Sequence, residues 1–178
     1  MRLLIPERIC LIIPSSAFLL DERVFMSLGI LKVAAVLEKA GIKVEMLDLS
    51  GVQNSIEAVV DHTKTSKTEI FGITSTTPQL PAATKISEAI RQTKPSARII
   101  IGGPHPTLVN TALKREKRLN VDGRATKAMR RLEEFFDVII AGDGEEAIFQ
   151  AIQKNAPMLI DADDPQSLLF LNQQHLNN

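Results

Sequence analysis

Three short stretches of this chain hold the residue types best suited to binding chemistry: Ser75-Thr76-Thr77, Gly102-Gly103-Pro104-His105-Pro106-Thr107 and Gly142-Asp143-Gly144-Glu145. Successive glycines strip a loop of side chains where something bulky must approach the backbone. Hydroxyls and the free amides of a helix start exchange hydrogen bonds with a polar ligand. The 142–145 loop lacks the Lys-Ser/Thr of a phosphate-cradling loop, and Asp143 and Glu145 would repel a phosphate. Its amides suit neutral amide or carbonyl oxygens instead. His105 has no second His, Cys or carboxylate at ligand spacing, so no metal site is expected around it. Lying between two prolines, it is expected on an extended, stiff segment.

Each stretch follows an apolar run that reads as a buried strand and precedes a helix. Strands are predicted over Ile9–Ile13, Lys43–Leu49, Ile70–Thr74, Arg98–Ile101 and Phe136–Ala141. Helices are predicted over Ser27–Ala40, Ile56–Thr65, Pro81–Thr93 and Glu145–Lys154, with a two-part helical stretch from Thr107 to Phe136 divided at Gly123. Gly41 suits a helix end and Pro81 a first helical turn. This alternation predicts an α/β fold: a flavodoxin-like (Rossmann-like), doubly wound parallel sheet of five strands in the order 2-1-3-4-5. The three stretches would then open at one sheet edge and line a common crevice. Residues 1–155 are expected to form this domain, and 156–178 an extended tail leading toward a missing further domain. Its apolar Leu168-Leu169-Phe170-Leu171 would fold back or meet a partner.

Composition narrows the function. The 178 residues carry zero formal net charge, so no global field draws the chain to nucleic acid or anionic membrane. Aromatics are 4% with no Trp or Tyr, too few for base-stacking platforms. No apolar run approaches a membrane span, and Pro6, Glu7 and Arg8 interrupt any signal-like start, so a cytoplasmic location is expected. The single cysteine, Cys10, sits within the first strand and reads as a small buried thiol; it excludes a disulfide framework within this chain. Asp48 ends the second strand like a ribose-binding acid, but Pro14-Ser15-Ser16-Ala17-Phe18 replaces the glycine fingerprint of a dinucleotide site. A phosphoacceptor receiver domain would need Asp where Thr74-Ser75 stands.

The ordered set of Leu28-Gly29-Ile30, Ala34 to Gly41, Asp48, the hydroxyl loop, Gly102 to Thr107 and Phe136 to Glu145 resembles the cobalamin-binding domain at the amino end of many radical-SAM enzymes. The resemblance covers roughly residues 8–155, and Ile160 to Phe170 resembles the segment leading to the catalytic barrel. It implies that Ser75, Thr76 and Thr77 hydrogen-bond the nucleotide tail of cobalamin. Gly102 and Gly103, with Pro104 and His105, would let the tail pass, and Gly142, Asp143, Gly144 and Glu145 would hold its far side. The family's best-known folds place a histidine after the first strand as the lower cobalt ligand, but residues 14–26 contain none. The resemblance therefore implies base-off binding, with Leu19 to Arg23, Leu20 and Asp21 among them, beneath the corrin. The radical-SAM cluster needs three cysteines, so S-adenosylmethionine and a 4Fe-4S cluster are expected only in a catalytic domain outside this chain, in cis or in trans. Methyl transfer is the reaction most often implied, and no catalytic residue is assigned here. Two other readings stay open: a Rossmann-like lobe binding a nucleotide sugar, and a non-catalytic interaction module docking through the basic stretch 114–131 and the tail.

Overall fold

The computed structural model describes residues 6–16 and 27–164. Leu20, Asp21 and the apolar cluster 168–171 lie outside them. Strands β1 (Arg8–Ile13), β2 (Lys43–Asp48), β3 (Ile70–Thr74), β4 (Arg98–Gly102), β5 (Val138–Ala141) and β6 (Leu159–Asp161) form one sheet in the order β2-β1-β3-β4-β5-β6. All neighbouring pairs are parallel. The helices are α1 (Leu28–Lys39), α2 (Ser55–Thr65), α3 (Leu80–Thr93), α4 (Pro104–Leu119), α5 (Arg124–Phe135) and α6 (Gly144–Ala151), with a 3-10 turn over Thr77–Gln79 before α3.

The flavodoxin-like order 2-1-3-4-5 is present, with a sixth strand added where an extended tail was expected. β6 is only three residues long, set between Pro157-Met158 and the acidic Ala162-Asp163-Asp164, so it is too short to carry a strand pattern of its own. Pairing makes it a strand: Ile139 N–H donates to Met158 O at 2.7 Å, and Ala162 N–H donates to Ala141 O at 2.8 Å. Asp161 anchors it from the side, accepting from Asn110 Nδ2 at 2.8 Å and pairing with Lys114 of α4.

Alternate strand residues point to opposite faces. Ile9, Leu11, Ile100, Val138 and Ile140 pack under α1 and α6. Cys10, Ile12, Phe71, Ile99, Ile101 and Ile139 pack under α2, α3, α4 and α5. The central strands are therefore buried on both faces, which is why they read as continuous apolar runs.

The predicted two-part helical stretch is α4 and α5, but α4 starts at Pro104, not Thr107, and takes His105 with it. Proline before a residue-pair boundary disfavours helix in general. In a first turn, however, the N–H that proline lacks has no intrahelical partner anyway, so Pro104 and Pro106 are both accommodated. His105 is thus buried in a helix and not on an extended segment.

Glu116 joins the two halves. Its carboxylate accepts from the N–H groups of Ala125 (2.9 Å), Thr126 (2.8 Å) and Gly123 (3.1 Å) and from the Thr126 hydroxyl (2.7 Å), capping α5. A Cβ at Gly123 would meet that carboxylate, so a side chain there would make the Glu116 arm shift. These bonds, the one from Ala125 foremost, hold the Glu116 carboxyl at about 2 instead of 4.5. A carboxyl depressed on folding stabilises above its unfolded value and loses that contribution as pH falls toward the folded one. Glu116→Ala should therefore lower the thermal unfolding midpoint at neutral pH. In melts at decreasing pH, its gap to the parent should narrow below 4.5 and close near 2; a constant gap would show that the cap is not ionic.

Candidate functional site

The loops after β3, β4 and β5 meet at the carboxyl edge of the sheet and are stitched together. Ser75 N–H donates to Gly102 O at 2.9 Å, and His105 N–H donates back to Ser75 O at 2.9 Å. Thr77 Oγ1 lies 3.1 Å from His105 Nδ1. The Thr107 hydroxyl donates to Gly103 O at 2.9 Å and accepts from Gly142 N–H at 2.9 Å. The first strand joins through Gln79, whose amide donates to Pro14 O at 2.8 Å while its oxygen accepts from Thr76 N–H at 3.0 Å and the Thr76 hydroxyl at 2.9 Å.

Gly103 makes the closest part of this stitch possible. Its φ of 97° and ψ of −169° lie in a region that is essentially glycine-only. A Cβ there would sit 2.7 Å from Thr74 Oγ1 and 3.0 Å from Ser75 N. The close approach at Gly103 is thus made by the protein's own backbone. Gly102 differs: a Cβ would meet only Ile140, at an ordinary 3.8 Å.

On the α1 and α6 side of the stitched loops lies a cavity of about 400 Å³. Its roof is the amino-terminal half of α1, from Ser27 to Val33, and the start of α6, with Gly144, Glu145 and Ile148. Its floor is apolar, built by Leu11, Ile100 and Ile140 with Gly72 between strands. Lys32 and Glu145 bridge from α1 to α6 at 3.1 Å. Lys32 is the one Lys or Arg among the described lining residues, and this ion pair occupies it. A diphosphate would find no free side-chain cation here, whereas an apolar ring with neutral polar arms meets little opposition.

The expected site residues divide into two groups. Thr76, Gly102, Gly103, Pro104, Gly142, Asp143, Gly144 and Glu145 line the cavity. Ser75, Thr77 and His105 do not: Ser75 is fully buried and its hydroxyl donates to Thr76 O at 2.8 Å. His105 packs behind the loops, where burial lowers its pKa and its Nε2 is buried without a protein partner. Those three hold the loops in place. Leu20 and Asp21 lie outside the described residues. Gly72, Ser27, Leu28 and Gly29 are cavity residues that sequence reading missed. A lone glycine inside an apolar strand is a signal of close backbone approach and marks Gly72; Gly29 in a first helical turn offers a weaker one.

An open α/β sheet with an apolar, glycine-edged crevice at its carboxyl edge defines a ligand-carrying domain of the doubly wound class. The family model of the B12 binding domain matches residues 22–133. This chain belongs to that family, whose cofactor is cobalamin. Loop 142–145 lies beyond the matched segment, so its place at the crevice rests on the fold. No curated protein matches the sequence. Among the solved structures that share the fold are two of the radical S-adenosylmethionine methyltransferase TsrM from Kitasatospora setae. The one holding tryptophan substrate and a SAM analogue is 16% identical with a TM-score of 0.62, over 82% of this chain and 25% of that one. The one holding cobalamin and a 4Fe-4S cluster is 17% identical with a TM-score of 0.61, over 81% of this chain and 24% of that one. The present chain therefore spans about a quarter of their length. No helix among the described residues is long and apolar enough to cross a membrane.

The two glycines should separate in a stability measurement. Gly103→Ala forces a side chain into a glycine-only conformation and against Ser75, so urea unfolding should show a loss of roughly 1–3 kcal/mol or more. Gly102→Ala should stay within about 0.5 kcal/mol of the parent.

Proposed function

We propose that this chain holds cobalamin base-off, as the cofactor-carrying domain of a radical-SAM methyltransferase, with the nucleotide tail in the cavity beneath α1 and α6. The observation that carries this reading is the cavity itself: apolar at its floor, bare of side chains at Gly102, and open at the carboxyl edge. Its volume of about 400 Å³ falls in the ~300–1,000 Å³ range of ligand pockets. That is room for a flat aromatic base but not for a whole corrin, which suits a tail inside and a macrocycle across the rim. Thr76, Pro104, Asp143, Gly144 and Glu145 would face the tail and the amide arms, and Gly102, Gly103 and Gly142 would leave the passage open. Ser75, Thr77 and His105 would support the loops from behind, and Leu20 and Asp21 would lie beneath the corrin.

The cavity supports the base-off reading, because a dimethylbenzimidazole held beneath α1 and α6 could not also sit below cobalt, and residues 14–26 hold no histidine to take its place there. Cobalamin supplies a cobalt centre able to carry a methyl group. The chain's own residues bind it, orient it and keep water from its tail. S-adenosylmethionine and an iron–sulfur cluster would belong to a catalytic domain in cis or in trans, since this sequence has one cysteine where the cluster needs three. The fourfold greater length of the TsrM structures supports a parent of that kind.

The test is a titration of the chain with hydroxocobalamin and methylcobalamin, followed by absorbance and calorimetry. Saturable binding with a base-off spectrum is expected. A base-on spectrum would overturn the tail placement, and no binding by either this chain or a longer parent would overturn the cofactor reading. Gly102→Leu fills the cavity from a position that tolerates a Cβ. It should weaken cobalamin at least about tenfold, a loss of roughly 1.4 kcal/mol, while the unfolding midpoint stays near the parent's.

A further inference from the structure

On the sheet face opposite the cavity, three ligand atoms converge between β1, β2 and α2. Cys10 and Glu45 are register partners on adjacent parallel strands, and α2 brings His62 over them. Cys10 Sγ lies 3.5 Å from His62 Nε2, and the same Nε2 lies 3.1 Å from Glu45 Oε2. All three atoms fall within 4.8 Å of one another. Cys10 is fully buried, whereas the His62 and Glu45 side chains are 26% and 20% exposed, which leaves a route from solvent.

Hydrogen bonding uses the three groups only in part. One imidazole nitrogen carries either a proton or a lone pair. With a proton it donates to Glu45, and the thiol sulfur is left as no more than a weak acceptor at 3.5 Å. With a lone pair it accepts from the thiol but faces the carboxylate lone pair to lone pair. A nucleophilic Cys–His–acid relay is also excluded, because the acid would have to sit on the other ring nitrogen. A divalent cation satisfies all three atoms at once.

The two distances from His62 Nε2, 3.5 Å to sulfur and 3.1 Å to oxygen, are close to those around such an ion. With bonds of about 2.3 Å to sulfur and about 2.05 Å to nitrogen and oxygen, a tetrahedral zinc separates S from N or O by about 3.6 Å and N from O by about 3.3 Å. Thiolate and carboxylate together neutralise a divalent charge. The carboxylate is held from outside: the Ser66 hydroxyl donates to Glu45 Oε2 at 2.6 Å, and Arg8 lies 3.7 Å from Oε1. Two effects oppose binding. Arg8 adds a nearby positive charge, and burial, with Glu45 adding to it, pushes the free thiol up to about 12, so the ion must displace its proton.

We propose that Cys10, Glu45 and His62 form a zinc-type divalent metal site that ties β1, β2 and α2 together, separate from the cobalamin crevice. The fourth position would be taken by water. Its position on the opposite face makes it independent of the cofactor reading.

The experiment uses the full 178-residue chain, free of cobalamin and treated with chelator, titrated with Co²⁺ and then Zn²⁺. Because Cys10 is the single cysteine, any thiolate-to-cobalt charge-transfer band reports it alone. One equivalent of Co²⁺ should bind with that band and tetrahedral visible bands, Zn²⁺ should displace it, and Zn²⁺ should raise the unfolding midpoint. His62→Gln, at a part-exposed position, should weaken Zn²⁺ at least about tenfold; Cys10→Ser should abolish the charge-transfer band. No stoichiometric binding, a cobalt spectrum without the thiolate band, or unchanged Zn²⁺ affinity in His62→Gln would each overturn the proposal.

Discussion

The crevice depends on one backbone contact, the passage of Gly103 against Ser75. Strands β3 and β4 are hydrogen-bonded neighbours to their last residues, Thr74 opposite Gly102. Beyond them the chains must turn in different directions without their loops colliding. Gly103, in a conformation closed to L side chains, lets the β4 loop lie flush on the β3 loop and start α4 at once. From that contact the stitching spreads: Ser75 to His105, His105 to Thr77, Thr107 to Gly103 and to Gly142. Three loops from distant segments become one rigid edge, and Thr76, Pro104 and the 142–145 loop are presented from it.

The unequal covering of the sheet makes room for a ligand. Among the described residues, four helices cover one face and two, α1 and α6, cover the other. Their amino-terminal ends roof the strands where Gly72 and Gly102 contribute no side chain, and the void remains there. Lower on the same face, Ala34, Leu37, Ala147, Ile148 and Ala151 close the packing. Void and core are thus made from the same two helices, and filling the void need not disturb the core.

The loop after β5 shows how late elements finish the edge. Gly142, with φ of 91°, has the Asp163 carboxylate where a side chain would be. Asp163 follows β6, which pairs with β5 and is clamped to α4 through Asp161. The last described segment therefore helps to shape the crevice from outside it.

By itself the sequence determined the elements whose signals are local. Apolar runs bounded by Gly, Pro and hydroxyl residues marked four strands, a mixed run from Lys43 to Leu49 marked the second, and helical spacing marked the helices between them. Alternation then implied parallel order and a common edge for three loops, and the motif order pointed to the cobalamin-binding family. Tertiary structure alone decided the rest. β6 is three residues without a pattern, and only pairing to β5 makes it a strand. Ser75 and His105 were expected beside the ligand from the resemblance, and long-range packing decides that both are buried outside the cavity lining. Cys10, Glu45 and His62 are scattered over 53 positions of chain; strand register and the crossing of α2 bring them together. Local propensity is written in neighbouring residues, whereas juxtaposition depends on register and packing that no short window of sequence contains.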